Sequence, residues 1–207
     1  MNTTIKTHHI TDAAALERLC TELANNPWLV VDTEFIREKN YYPKLCLVQI
    51  GNGDTLACID TLAVKDLTPL CELLADPRCI KVFHAAGQDL EIFYYLTGAV
   101  PQPIFDTQLA AAFLGHGEQI GYANLVKTLL DVQLDKSHTR TDWSRRPLSS
   151  GQIEYALDDV RYLRDIYLHL RQALVQAGRL EWADEDSKAL TAVERYRPDP
   201  EGAWQRI

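Results

Sequence analysis

Hydrophobic and polar positions along the chain change period several times, and each change marks an element. Over residues 11–24 (TDAAALERLCTELA) apolar residues recur at helical spacing behind a Thr/Asp cap, which predicts a helix closed by Pro27. Residues 28–35 (WLVVDTEF) form an apolar, β-branched run that turns acidic near its end. That pattern predicts a strand entering the core and finishing at a functional edge. Residues 45–50 and 55–59 predict two more strands, joined by Gly51-Asn52-Gly53-Asp54, which carries hairpin chemistry. Residues 67–74 predict a short helix ended by Asp76-Pro77, and residues 79–83 (CIKVF) a fourth strand. A helix over residues 90–96 stops at Gly98, residues 104–105 give a brief fifth strand, and residues 107–114 are helical up to Gly115. From about Tyr122 the pattern is almost all helix. The longest predicted helix opens at Ser149 with a capping box to Gln152, runs to about Gln176 and ends at Gly178. Alternating strands and helices after an opening hairpin predict an α/β fold around a mixed sheet.

Composition narrows the class. Hydrophobic residues make up 46% and charged residues 24% of 207 positions, which suits one globular domain. No apolar run approaches the roughly 18 residues a membrane helix needs. The polar opening, residues 1–12, lacks the apolar centre of a signal peptide. The expected location is the cytoplasm, away from membranes. Cys20, Cys46, Cys58, Cys71 and Cys79 form no C-x-x-C pair, so reduced core thiols are expected rather than disulfides or zinc. The net charge of −8 argues against a nucleic-acid binder unless the acid is gathered in a metal site and the base is local.

Three short patterns carry candidate chemistry. Asp32-Thr33-Glu34 places two carboxylates on one strand face, about 6.6 Å apart at their Cα atoms. Following Leu29-Val30-Val31, they need a compensating partner, and a hard divalent cation is the natural one; a strand end emerging into solvent explains them equally. Residues 84–89 (HAAGQD) follow the fourth strand and open a helix, at the sheet edge where α/β sites are built. There Asp89 either joins a site or complements the helix dipole. Tyr155 and Asp159, four apart, share a helix face, while Asp158 points about 100° away and is expected to be solvated. A basic segment, residues 136–146 (KSHTRTDWSRR), either tracks a single strand with Trp143 interleaved for stacking or is a solvated loop with Trp143 tucked into the core.

In their joint order these patterns resemble the DEDD exonuclease superfamily, in its tyrosine-bearing branch, and within it ribonuclease D. Asp32-Thr33-Glu34-Phe35, Tyr41-Tyr42-Pro43-Lys44-Leu45, Leu47-Val48-Gln49, Phe105-Asp106-Thr107 and residues 142–148 (DWSRRPL) carry the resemblance, which covers roughly residues 10–178. It implies a ribonuclease H-like fold with a five-stranded mixed sheet flanked by helices. It also implies 3′-5′ exoribonuclease activity on RNA 3′ ends such as tRNA precursors, by two-metal-ion hydrolysis with Mg²⁺ or Mn²⁺. By the same resemblance Asp32, Glu34, Asp89 and Asp159 match the metal-ligand carboxylates, and Tyr155 matches the tyrosine that orients the attacking water. Phe35, His84, Gln88 and Arg145 are the expected substrate contacts. Residues 1–194 are expected to form the exonuclease domain, and residues 195–207 a linker or the start of a missing helical domain of the HRDC type. The rivals are a DNA-directed exonuclease on the same fold and a nucleic-acid-binding module without turnover; the four acids do not separate RNA from DNA.

Overall fold

A computed structural model of the protein describes residues 5–37, 42–135 and 141–197. In chain order the elements are β1 (Lys6–Ile10), α1 (Ala13–Leu23), β2 (Trp28–Ile36), β3 (Lys44–Gly51), β4 (Thr55–Asp60), α2 (Thr68–Ala75), β5 (Ile80–Phe83) and α3 (Gly87–Thr97). They continue with β6 (Ile104–Asp106), α4 (Thr107–Phe113), α5 (Tyr122–Leu130), α6 (Ser150–Arg161), α7 (Leu163–Ala177) and α8 (Leu180–Leu190). The strands form one mixed sheet in the order β1-β4-β3-β2-β5-β6. β2, β3 and β4 pair antiparallel, as the hairpin chemistry predicts, while β1, β5 and β6 join in parallel.

The sheet has six strands where five are expected from sequence. β1 gives no alternating signal because only Ile10 of its five residues is buried; it is an edge strand held to β4 by backbone pairing. Its neighbour's hairpin is built by Asn52, whose Oδ1 accepts from the backbone N–H groups of Asp54 and Thr55. Gly53 sits there at φ 88°, and a Cβ on it would come within 2.3 Å of Cδ of Arg164. No other residue fits that turn without displacing the arginine.

Alternate residues of β2 feed two cores. Val31 packs with Leu16, Leu23, Ile50 and Phe93 beneath α1, α2 and α3. Val30 packs with Cys58, Leu125, Leu157 and Leu170 beneath the later helices. Covered on both faces, the central strand reads as an unbroken apolar run until its acidic end. In β5 the exception is Lys81, fully buried, whose ammonium donates to the carbonyls of Asp76, Cys79 and Gln102 at 2.9, 2.7 and 2.6 Å. Burial lowers its pKa to about 8. All five cysteines are free, and four are buried.

The helix expected to run unbroken from Ser149 to about Gln176 is two helices. Ser149 does cap the first, with its side chain and that of Gln152 in a reciprocal capping box. The break falls at Tyr162. The Tyr122 hydroxyl, brought by α5, donates to the Asp158 carbonyl at 3.0 Å, and the Tyr162 N–H, which would continue the helix by bonding that carbonyl, turns to the Val160 carbonyl instead. A side chain inserted into the backbone ladder in this way kinks a helix. The kink lets α6 lie along β2, β3 and β4 while α7 turns to pack on α4, α8 and β5. The expectation of almost continuous helix after Tyr122 also gives way to non-helical chain at residues 131–135 and 141–149. Past α8, Tyr196 still belongs to the core, 7% exposed, with its hydroxyl donating to the Leu190 carbonyl.

Candidate active site

The acidic end of β2 meets α6 over one sheet face and the start of α3 beside it. Oxygen atoms of Asp32, Glu34 and Asp159 lie within 4.8 Å of one another; among the described residues no other three metal-ligating side chains converge so closely. β2 supplies the first two by its period of two, and α6 supplies Asp159. Between Glu34 and Phe35 the register with β3 shifts by a bulge, the device that re-aims side chains beside many sites.

The electrostatics are those of acids packed without a counter-charge. Burial, then the Asp159 carboxylate, pushes Asp32 well above the usual carboxylate range. Burial and the carboxylates of Asp32, Asp159 and Asp89 push Glu34 up to about 9. Burial and Asp158 push Asp159 up to about 7. Asp89, raised by burial and by Asp32, stands beside this trio rather than within it. Its Oδ1 instead accepts a 2.5 Å hydrogen bond from the Thr33 hydroxyl, which arrives from the other face of β2. An all-carboxylate donor set suits a hard divalent cation, which takes oxygen ligands and offsets the mutual repulsion. The residues therefore fit the metal chemistry the sequence implies.

Tyr155 stands one helical turn before Asp159, and both line a cleft of about 300 Å³ with Tyr122, Asn124 and Asp135. Trp143 backs it: the indole is 4% exposed, its ring centroid 6.1 Å from that of Tyr155. Of the two readings left open for Trp143, the structure takes the core one. Asp158 is half-buried rather than solvated, with its Oδ1 2.9 Å from Nε of Arg161.

The expected substrate contacts divide. Phe35 is half-buried just past the bulge, and Gln88 and Arg145 are exposed. His84 is engaged inside the protein: Nδ1 lies 2.9 Å from the Thr107 hydroxyl and Nε2 3.0 Å from the Ile120 carbonyl. Both ring nitrogens are thus engaged within the protein, linking the start of α4 to the loop before α5. Arg146, expected among the strand-tracking bases, forks onto both carboxylate oxygens of buried Asp60 and reaches the Cys46 and Trp143 carbonyls. Lys136, His138 and Arg140 lie outside the described residues, as does Tyr41.

Three positioning residues are missed by sequence reasoning about chemistry. In sequence Thr33 reads only as the spacer in D-x-E. Asp106 falls in a stretch, Phe105-Asp106-Thr107, that carries resemblance but no chemistry of its own. Its carboxylate caps α4 through Gln108 and also accepts from the N–H groups of Ala85 and Ala86. It thereby fixes the turn that aims α3 and Asp89; Ala85 holds φ 59° there. Tyr122 reads as an ordinary helix residue, since nothing local reveals that its hydroxyl enters another helix.

Fold and acidic cluster agree with the class that the family comparison names, the exonucleases that work from a 3′ end. A family model described as 3′-5′ exonuclease matches residues 7–175, and the chain belongs to that family. Within it the chain is similar to ribonuclease D of Granulibacter bethesdensis, with 51% identity over 96% of this chain and 50% of the relative. Its structure is similar to that of Escherichia coli RNase D, an exoribonuclease involved in structured RNA processing. There the TM-score is 0.89 and the identity 40%, covering 99% of this chain and 54% of that one. Brucella melitensis NrnC with bound Mg²⁺ superposes with TM-score 0.78 at 30% identity, over 99% of this chain and 96% of that one. The chain spans about half the length of the curated relatives it matches. Among the described residues no helix is long and apolar enough to cross a membrane.

Proposed function

We propose that the chain is the catalytic region of a 3′→5′ exoribonuclease that shortens RNA one nucleotide at a time and releases nucleoside 5′-monophosphates. The observation that carries this reading is the convergence of Asp32, Glu34 and Asp159 within 4.8 Å, with Tyr155 lining a cleft beside Asp159. Asp32, Glu34, Asp89 and Asp159 are the ligands for two divalent cations, Mg²⁺ or Mn²⁺; the Mg²⁺ in the Brucella relative supports that choice. Bound cations supply charge neutralisation at the scissile phosphate and a water acidified toward neutral pH. The Tyr155 hydroxyl orients that water or accepts its proton, and Trp143 fixes the plane of its ring. Phe35 stacks on the terminal base, and Gln88 and Arg145 contact the strand.

The substrates in this reading are RNA 3′ ends in the cytoplasm, tRNA precursors among them. Support comes from the structured-RNA processing of the Escherichia coli relative. Residues 1–194 form the catalytic unit in this reading, and residues 195–207 lead toward an HRDC-type region, although Tyr196 still packs on the catalytic core.

The test is a 5′-labelled single-stranded RNA incubated with Mg²⁺ or Mn²⁺, with EDTA, and with a matched DNA. A ladder shortening from the 3′ end, blocked by a 3′-phosphate and lost with EDTA or Asp32→Ala, is the expected result. Tyr155→Phe should slow turnover by about 10²-fold or more while RNA binding holds. RNA and metal binding without cleavage would move the binding-module reading ahead, and preferential loss of DNA would give the site to the rival substrate.

A further inference from the structure

Gln49 on β3 is 0% exposed, yet neither its Oε1 nor its Nε2 has a hydrogen-bond partner. A buried amide with both ends unpaired is costly, and an apolar side chain of the same length would fill that space without the cost. Its place in the sheet says what the amide is kept for. Gln49 pairs directly with Asp32 on β2 and directly with Cys58 on β4. Directly opposed residues on antiparallel strands share a face, with Cβ atoms about 4.5–5.5 Å apart. α6, which carries Asp159, roofs that face across β2, β3 and β4. On the β4 side the Cys58 thiol is already turned to the Ile153 carbonyl of α6. The strong acceptor opposite Gln49 is therefore the Asp32 carboxylate, one of the three oxygen donors of the acidic cleft.

We propose that Gln49 is a positioning residue of the cation site: its amide N–H₂ group donates to the Asp32 carboxylate when that group holds a divalent cation. This rests on reading the acids as a cation site. Hydrogen bonds to metal-ligating carboxylates orient them and typically carry 10- to 100-fold in metal affinity. The amide is thus an orphan held ready for the loaded state, and its removal has opposite consequences for the two states. Gln49→Met relieves the metal-free protein of an unpaired donor and acceptor while loosening Asp32 in the metal-bound one.

The experiment is Mn²⁺ titration calorimetry on the 207-residue chain, with thermal melting in EDTA, for wild type, Gln49→Met and Asp32→Asn. The expected result is Mn²⁺ binding in wild type, its loss in Asp32→Asn, a Kd about 10-fold higher in Gln49→Met, and a metal-free Tm of Gln49→Met equal to or above wild type. A Gln49→Met Kd matching wild type overturns the role of Gln49 and leaves the cation site standing. A lowered metal-free Tm with unchanged Kd gives Gln49 a purely structural role and also overturns it. Absence of Mn²⁺ binding in wild type removes the cation-site reading itself. Should Gln49→Met fail to fold, the ¹⁵N-labelled wild-type chain decides: the Gln49 side-chain amide resonance should move on saturation with Mg²⁺, and a resonance that stays in place refutes the proposal.

Discussion

The Thr33 hydroxyl donates to Oδ1 of Asp89 at 2.5 Å, tying the middle of the D-x-E pattern to the acid on α3 from 56 positions away. Thr33 faces away from Asp32 and Glu34 along β2, so the bond draws Asp89 toward the strand from the opposite core. It is also the one side-chain donor that lowers the Asp89 pKa against burial and Asp32. Thr33→Val should leave the Asp89 carboxylic acid holding its proton harder. Divalent-metal affinity should fall about 10-fold, while Thr33→Ser stays near wild type. Calorimetric titration with Mn²⁺ checks both; equal loss in Val and Ser variants would point to packing instead.

The raised acids set a pH dependence whose sign follows from linkage. Glu34 moves from 4.5 to about 9 and Asp159 from 3.8 to about 7 in the folded chain. Between those limits the folded state binds more protons than the unfolded one, so stability is greatest in acid and declines as pH rises. Without metal, the melting temperature should therefore fall between about pH 5 and 9. Glu34→Gln should flatten the decline, and saturating Mg²⁺ should reverse it, because the cation takes the place of the protons. A metal-free profile that is level over this range would contradict the crowding of these acids.

Tyr122 offers a test of the kink. Burial and the Asp159 carboxylate hold its hydroxyl well above its usual pKa, so it remains a donor to the Asp158 carbonyl. Tyr122→Phe removes that bond at a cost of about 1 kcal/mol. Losing the inserted oxygen also lets the backbone at positions 158 and 162 re-pair, which shifts α6 where Tyr155 and Asp159 project. The expected readout is a kcat lowered about 10-fold with the RNA Kd little changed. A loss confined to stability would restrict Tyr122 to packing.

Arg146 should behave as a structural residue. Asp60 is 3% exposed, and its carboxylate also accepts from the N–H groups of Leu62 and Ala63. Burial is the largest influence and raises its pKa, but the Arg146 fork and the Ala63 and Leu62 N–H groups together outweigh it and hold the carboxyl below its usual range. Arg146→Met strands that carboxylate and should destabilise the fold by about 3 kcal/mol. Arg146→Lys keeps charge without the fork and should fall between. Chemical denaturation measures both; a Met variant as stable as wild type would show that the pair contributes little.

The sequence by itself determined the α/β class, five of the six strands, the hairpin at residues 51–54, the capping box at Ser149 and the helical pairing of Tyr155 with Asp159. These are local consequences of period and turn chemistry, written within a few neighbouring residues. The order of the acids, through resemblance, also pointed to the family. Tertiary structure alone decided the rest. β1 is held by backbone pairing at an edge, which leaves no periodic trace in KTHHI. The split of the late helix at Tyr162 depends on a hydroxyl arriving from residue 122, 36 positions away in Tyr122's bond to Asp158. Asp89 turns to Thr33, Arg146 to Asp60, His84 to Thr107 and Ile120, and Gln49 faces Asp32 without a partner. None of these pairings lies within one element, so no local pattern encodes them. They are set by where the sheet register and the helix kink bring distant side chains together in a medium that penalises any polar group left alone.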